Sequence, residues 1–405
     1  MSKVGGALPS WYWPAGVPRR VPVPQQPLHR LLRRHLPAAK DRPALVTAAR
    51  TTTYGQLIEG ALSAAGGIQA AEAGETVAVI EREPDRALLL LLAGMLAERR
   101  VLLADPGAPP QRLAAELQEA QAGCVLTACG AGAAENIAGV RVLAGGELSA
   151  PFREGEARPR RATDPVLLLP SPKGLVLHSH FSVAAMSTSL TAFIAALRQL
   201  PFLGACAPWR WEVLAGVFAA LLHGMPVVFG ALEDPELAAH EVLAQGGYTI
   251  LGRDYADALI HAGSAPSILS RLKFVLVSTG RFTVRWRAQV ESACGRPVLP
   301  VWGSAEAGPV VAAHPTWYPR QAHGFPLVNV SLVPVDPASG KISIVPWEML
   351  ESAEVGVETF SAMTGYADDA RTGEVRLGKV LRTRHLASVD HVGVVTLHKP
   401  LEDER

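Results

Sequence analysis

The sequence predicts an α/β fold with a largely parallel sheet, followed by a smaller β-rich unit. Up to about residue 324, short apolar runs alternate with longer segments of helical apolar spacing, the pattern of strand–helix–strand crossovers. From Phe325 onward the spacing changes to period two, broken at Asp336-Pro337 and Ser339-Gly340, which reads as antiparallel strands joined by turns. With 405 residues, 49% of them hydrophobic, the chain has material for about two to three domains with large cores.

A Pro-rich lead-in (14–27) ends at Leu28-His29-Arg30-Leu31-Leu32, where helical spacing begins. Asp41-Arg42-Pro43-Ala44-Leu45-Val46 and Thr51-Thr52-Thr53-Tyr54 read as a short hairpin feeding a helix over 54–71. Strands follow at 76–80, 101–104 and 124–127, separated by helices at 85–98 and 110–121. Val166-Leu167-Leu168-Leu169 is a further buried strand. Beyond it the spacing predicts helices over 182–197, 213–223, 235–245, 254–261 and 285–293. The intervening strands lie at 226–229, 248–251, 274–277 and 298–301. In the last unit, 328–335 and 341–345 alternate as strands. There are no internal repeats and no low-complexity tract.

Composition excludes several classes of function. The net charge is +1, without a basic or acidic block, so no nucleic-acid partner is expected. Cys124, Cys129, Cys206 and Cys294 form no C-x-x-C pair and read as reduced thiols. The N-terminus lacks a continuous apolar stretch of the signal-peptide kind. The densest apolar run, residues 87–93, is about half of what a membrane span needs. A cytoplasmic protein with no membrane partner is the expectation.

Several landmarks, in order, resemble the adenylate-forming superfamily of acyl-CoA ligases, peptide-synthetase adenylation domains and luciferases. Trp13-Pro14-Ala15-Gly16-Val17-Pro18-Arg19 with Asp41 to Val46 looks like the opening of fatty-acyl CoA ligases. Thr53-Tyr54-Gly55-Gln56-Leu57 is similar to "TYxEL", and Leu103-Ala104-Asp105-Pro106-Gly107-Ala108-Pro109 to "PLDPxxP". Pro172-Lys173-Gly174 resembles the end of the phosphate loop, and Trp302-Gly303-Ser304-Ala305-Glu306 resembles "YGxTE". Phe325-Pro326 with 335–340, then Gly365-Tyr366, Leu381-Arg382-Thr383 and Gly393, look like the closing motifs. The resemblance implies two α/β subdomains (1–180 and 181–324) in a layered αβαβα arrangement. A small β-rich, distorted-barrel subdomain (325–405) is expected to follow, without the C-terminal lid domain of the family.

The family's first reaction joins a carboxylate to ATP, which requires donors, cations and Mg²⁺ around the phosphates. Against that pattern, four departures stand out. Leu169 runs into Pro170-Ser171-Pro172-Lys173, about five residues short of the usual loop, and each proline removes an N–H donor. Glu306 occupies the position of the metal-binding glutamate, but Ala305 replaces the preceding threonine. Thr383-Arg384-His385 stands where the family has Thr-Gly-Asp, so His385 replaces the ribose-binding carboxylate with a single neutral acceptor. The chain ends where the hinge to the lid, with its catalytic lysine, would begin. On these grounds no cofactor is expected, neither ATP nor Mg²⁺, and Ser171, Lys173, Ala305, Glu306 and His385 are degenerate nucleotide-site positions.

The resemblance also places an acyl pocket at Trp209-Arg210-Trp211, Ser278-Thr279-Gly280-Arg281 and Trp302-Gly303-Ser304. Aromatics beside guanidinium groups suit a flat or acyl ligand bearing an anion; the plainer reading is that these side chains fill the vacated adenine space. Candidates for catalysis are His180, Arg281, Arg210 and Glu306. His178 and His180 would share a face if on a strand, with no third metal ligand nearby, so no metal site is expected. Ser171, Ser304 and Cys206 are conceivable nucleophiles, though none sits in a recognisable dyad. His385 and His391 are as open as His180.

Three functions remain open at this point. The favoured one is a degenerate ligase-like protein that binds an acyl or aryl carboxyl-derived ligand or a partner. Such a partner would be an acyl carrier protein, a biosynthetic enzyme or a second copy of the chain, in specialised bacterial biosynthesis. The second is an ATP-independent enzyme acting on a CoA or carrier-protein thioester by transfer, condensation or cyclisation. The third is an adenylating half-enzyme completed in trans.

Overall fold

The computed structural model describes residues 13–128, 140–154, 160–205, 207–232, 234–262, 266–316 and 321–401. Three sheets organise them. The first has seven strands, in the order Gly365–Tyr366, Gly174–Ser179, Pro165–Ser171, Arg100–Leu103, Thr76–Val79, Cys124–Thr127, Arg141–Ala144. The second has nine, running from Phe325–Pro326 through Gly308–Ala312, Val298–Ser304, Phe274–Ser278 and Tyr248–Gly252 to Phe202–Gly204, Val227–Phe229, Pro43–Val46 and Thr51–Thr53. The third is a partial half-barrel of antiparallel strands, with Ala353–Thr359 and Val380–Val389 at its centre.

The layering follows from side-chain alternation. On the Thr76–Val79 strand, Val77 and Val79 enter the largest core while Ala78 joins a separate one. On Phe202–Gly204, Phe202 enters that same large core and Leu203 a third. Successive strand residues point to opposite faces, so the large core must lie between the two sheets. It contains the apolar residues of helices Tyr54–Ala70, Pro84–Leu96, His180–Phe193 and Trp211–Leu221. Helix Pro110–Glu119 covers the far face of the first sheet, and Arg253–Ala262 with Val284–Cys294 cover the far face of the second. The expected αβαβα arrangement is therefore present.

Local chemistry sets several helix boundaries. Thr53 caps the Tyr54–Ala70 helix by accepting from the Gln56 amide, and the Gln56 side chain returns the bond, a reciprocal cap. Ser179 and Ser182 cap His180–Phe193 in the same way. Val284–Cys294 ends on Gly295 at φ +66°, the left-handed stop that glycine adopts freely.

The structure departs from the sequence reading in four places. The 235–245 segment is only a short helix, Pro235–Ala239, followed by a 3₁₀ turn, Glu241–Leu243. His240 is extended there and its Nδ1 accepts from the Val242 amide, which breaks the helical ladder. Residues 341–345 form no strand: one bridge joins Ile342 to Val335, and Ser343 turns the chain toward Val345. Ile344 is fully exposed, so that alternation reflects no buried face. The 43–53 hairpin joins the second sheet through Leu45 against Val227, although it lies within the first predicted unit. Gly365–Tyr366 crosses in the opposite sense, pairing with Gly174–Ser179 of the first sheet.

Candidate functional site

Pro165–Ser171 and Gly174–Ser179 form an antiparallel hairpin whose last pair is Ser171 opposite Gly174. The turn consumes its own polar groups. Ser171 Oγ donates to the Gly174 carbonyl at 2.9 Å and accepts from the Lys173 amide at 3.2 Å. The Leu175 amide donates to Glu119 Oε1 at 3.0 Å, and Arg371 donates to the Lys173 carbonyl at 2.8 Å. Pro170 and Pro172 have no N–H to offer. Gly174 sits at φ +121°, with the Arg371 guanidinium where a Cβ would be, so glycine is required by both backbone and space.

This hairpin borders a cavity of about 710 Å³. Its other walls are Trp209, Arg210, Trp211 and Glu212 from the entry to helix Trp211–Leu221, the strand end Trp302 to Glu306, Tyr366, and residues 381–385. The three tryptophans thus line one cavity. Trp211 packs where a Cβ on Gly303 would stand, and the Trp302 ring meets His385 edge-on at 5.5 Å between centroids.

Arg210 lines the cavity but its charge is committed. It donates to both oxygens of Asp254 at 3.0 and 2.8 Å and to Glu212 at 3.2 Å. Burial opposes the charged form, but the two carboxylates outweigh it and hold the guanidinium above its ordinary pKa. Glu306 accepts from the Tyr366 hydroxyl at 2.9 Å. Burial, then the Glu306 carboxylate, raises the Tyr366 pKa, so the phenol keeps its proton and donates. Beside them the Ala305 carbonyl lies 2.6 Å from His178 Nε2. Burial pushes His178 down to about 4, and because a carbonyl only accepts, its proton is on Nε2. By the same logic His385 carries its proton on Nδ1, 3.0 Å from the Thr383 carbonyl, leaving Nε2 as the acceptor.

Arg382 is held by the buried Glu354 carboxylate at 2.6 and 3.2 Å, and Glu354 also accepts from the Arg384 amide at 3.1 Å. The strand register slips here on both flanks, a bulge of the sort that re-aims side chains.

Of the residues named from sequence, Ser171, Lys173, Trp209, Arg210, Trp211, Trp302, Gly303, Ser304, Ala305, Glu306 and His385 line this one cavity. Ser278, Thr279, Gly280 and Arg281 do not: the Thr279 hydroxyl and Arg281 carbonyl face Arg253, and the Gly280 carbonyl faces His323. His180 is also elsewhere, fully buried, accepting from the Leu28 amide at 3.3 Å with its ring 5.7 Å from that of His29. His178 and His180 do not share a strand face, since the second begins a helix. Among the described residues no group of three or more His, Cys, Asp or Glu side chains gathers to hold a metal. Burial raises Cys124 and Cys294 to about 11, which removes them as nucleophiles; Cys129 and Cys206 lie outside the described residues. Sequence reasoning passed over Arg371 and Glu354, which carry no local motif. No helix among the described residues is long and apolar enough to cross a membrane.

The family model described as "AMP-binding enzyme" matches residues 32–169. No curated protein matches the chain in sequence. Among solved structures, unliganded O-succinylbenzoate coenzyme A synthetase (MenE) from Bacillus subtilis superposes with a TM-score of 0.80 at 18% identity, covering 94% of this chain and 80% of that one. The same synthetase with ATP and magnesium ion gives 0.78 at 17% identity, covering 93% and 80%. ATP-bound MatB from Rhodopseudomonas palustris gives 0.77 at 18%, covering 92% and 78%. The fold is that of adenylate-forming acyl-CoA ligases, as the motifs implied. These structures also correct one expectation, that ATP and Mg²⁺ have no place here. Chains of this fold hold ATP with magnesium ion, AMP, or the acyl-adenylate intermediate OSB-AMP, so the changed motifs are no ground for excluding the nucleotide.

Proposed function

We propose that this chain is an acyl-CoA-ligase-like protein that binds an adenine nucleotide together with an acyl or aryl group derived from a carboxylic acid. The observation that carries this reading is the 710 Å³ cavity, whose wall combines Trp209, Trp211 and Trp302 with Lys173, Glu306, Thr383 and His385. Its size suits a ligand of a few hundred daltons, and its wall offers both aromatic faces and polar or charged groups, as an acyl-adenylate would require.

In this reading Trp209, Trp211 and Trp302 take the apolar part. Arg210 shapes that wall without offering its charge, because Asp254 and Glu212 already use it. His385 Nε2 supplies one acceptor for a sugar hydroxyl. Mg²⁺ commonly binds through one carboxylate plus phosphate oxygens and waters, and Glu306 fits that demand because the Tyr366 hydroxyl occupies only one of its oxygens. Mg²⁺ held there would screen phosphate charge. The hairpin turn spends its amides internally, so the nucleotide's phosphates must be met by side chains.

Calorimetry with Mg-ATP, AMP and a non-hydrolysable acyl-adenylate mimic tests the reading. Binding of the mimic in the micromolar range, weakened about tenfold by Trp302→Ala, is the expected result. No binding of any of the three by the folded chain would overturn it.

A further inference from the structure

The described tryptophans divide into two groups by what their indole N–H groups do. Away from the large cavity each one donates: Trp13 to the Val17 carbonyl at 2.6 Å, Trp286 to Asp257 at 2.6 Å, and Trp347 to the Leu332 carbonyl at 3.3 Å. Trp209, Trp211 and Trp302, which line the cavity, have no acceptor among the described residues. A buried indole N–H ordinarily finds one. Trp211 and Trp302 are only 9% and 4% exposed, yet neither nitrogen is among the fully enclosed polar atoms that lack a partner. Each therefore touches open space, and the cavity is the open space that both rings border. The Trp211 ring also packs at Gly303, the chain neighbour of Trp302, so the helix start and the strand end meet here.

Glu212 supplies the complementary half. It lines the same cavity, is 6% exposed, and is bonded through Oε1 to Arg210 at 3.2 Å. Its Oε2 has no partner among the described residues and is not enclosed either. The wall thus holds a carboxylate oxygen that accepts and indole nitrogens that donate. The local charge disfavours the anion that the sequence suggested, because Arg210 already faces two carboxylates, Glu212 and Asp254. A hydrocarbon group would leave both kinds of site unmet, which is costly for buried polar atoms. A second carboxylate only accepts, and it meets like charge at Glu212. An ammonium only donates and leaves the indoles unanswered. A hydroxyl does both at once.

We propose that the cavity selects a hydroxylated aryl acid, whose hydroxyl donates to Glu212 and accepts from the indole N–H of Trp211 or Trp302. The flat ring suits a wall of tryptophans. This deepens the acyl-adenylate reading by naming the substrate class, and it rests on that reading for the ligand's other end. Glu212 and the indoles act here as specificity-determining groups. They meet the ligand away from its carboxyl carbon and take no part in making or breaking bonds.

The experiment is calorimetry on the full chain with matched acyl-adenylate mimics: benzoyl, the positional hydroxybenzoyl isomers, carboxybenzoyl and aminomethylbenzoyl. The free acids and AMP are measured beside them. One hydroxybenzoyl isomer is expected to bind about tenfold tighter than benzoyl, the margin of a hydrogen bond to a charged group, and tighter than the carboxy and aminomethyl members. Glu212→Leu should bring that ratio toward one, and Glu212→Gln, which keeps an acceptor oxygen, should retain part of it. Trp211→Phe and Trp302→Phe keep a ring without its N–H, and at least one of them should lower the ratio. Because the readout is a ratio within each variant, a general loss of affinity does not imitate it. Three results overturn the proposal and leave the adenylate reading standing: equal binding of benzoyl and every hydroxybenzoyl mimic, tightest binding of the carboxy or aminomethyl member, or a hydroxyl preference that Glu212→Leu and both phenylalanine variants keep. A hydroxyl preference among the free acids, in a chain that binds no mimic and no AMP, keeps the subsite and removes that reading. Binding of no mimic and no acid overturns both.

Discussion

Two short segments border the same cavity and solve opposite problems. The Ser171–Gly174 turn is relaxed: a glycine takes the positive φ, and Ser171 and neighbouring side chains satisfy the polar groups. The bulge at 383–385 is strained, with an arginine where a glycine would fit and a buried carboxylate holding it in place. A turn that meets its own needs has little left for a ligand. A strained segment whose backbone is pinned from behind directs its side chain into the cavity. The comparison teaches that, in the proposed reading, a ligand would be met by side chains around the cavity more than by the amides of the loop that the family resemblance draws attention to.

The largest effect should come from removing the pin. Glu354→Ala leaves the largely buried Arg382 guanidinium without its partner, a loss of about 3–5 kcal/mol, read as a sharp fall in melting temperature. A wild-type melting temperature would mean the bulge is not held from behind. Next is the root of the hairpin. His178 is fully buried and lowered to about 4, against an ordinary value near 6.5. A lowered histidine favours the neutral form when folded, so its stability is intact above pH ~6.5 and is lost as pH falls toward about 4. The loss reaches about 3 kcal/mol, and urea unfolding at pH 7 and pH 4.5 should show a smaller drop in His178→Gln than in wild type.

Gly174→Ala should cost about 1–3 kcal/mol from the positive φ alone, more where the Arg371 guanidinium obstructs the new methyl group. Adding Arg371→Ala should recover the obstruction and not the strain, which chemical unfolding of the single and double variants separates. The smallest effect runs the other way. Arg384→Gly should stabilise the chain by up to about 1 kcal/mol, measured by the same unfolding. Destabilisation instead would show the bulge to be as relaxed as the turn.

Much of this molecule is legible from sequence, for reasons that differ from part to part. Strands such as Thr76–Val79 and Tyr248–Gly252 are bounded apolar runs, fully buried between helical layers. The shortened phosphate loop is visible because two prolines within three residues leave room only for a tight turn. The meeting of Trp209, Trp211 and Trp302 was legible through the resemblance and not through spacing, since the two segments are far apart in the chain. The absence of Arg281 from that cavity was not legible, because its orientation depends on how the loop after Phe274–Ser278 turns toward Arg253. The exclusion of ATP and Mg²⁺ from four altered features does not hold, because chains of this fold bind ATP with magnesium ion and AMP, and altered motifs do not reveal what the rest of a packed site supplies.

By itself, the sequence determined the alternation of helix and strand, the burial of the central strands, the change to antiparallel pairing near the end, and the tightness of the Ser171–Gly174 turn. Each of these follows from side-chain period, proline and glycine within a few neighbouring residues. Tertiary structure alone decided that the 43–53 hairpin joins the second sheet, that Arg210 is neutralised by Asp254, and that Lys173 and Arg384 share a cavity wall. Those outcomes depend on strand register and on a bulge between segments distant in sequence. A slip of one residue turns every side chain to the other face, and no local pattern records which slip the packed chain adopts.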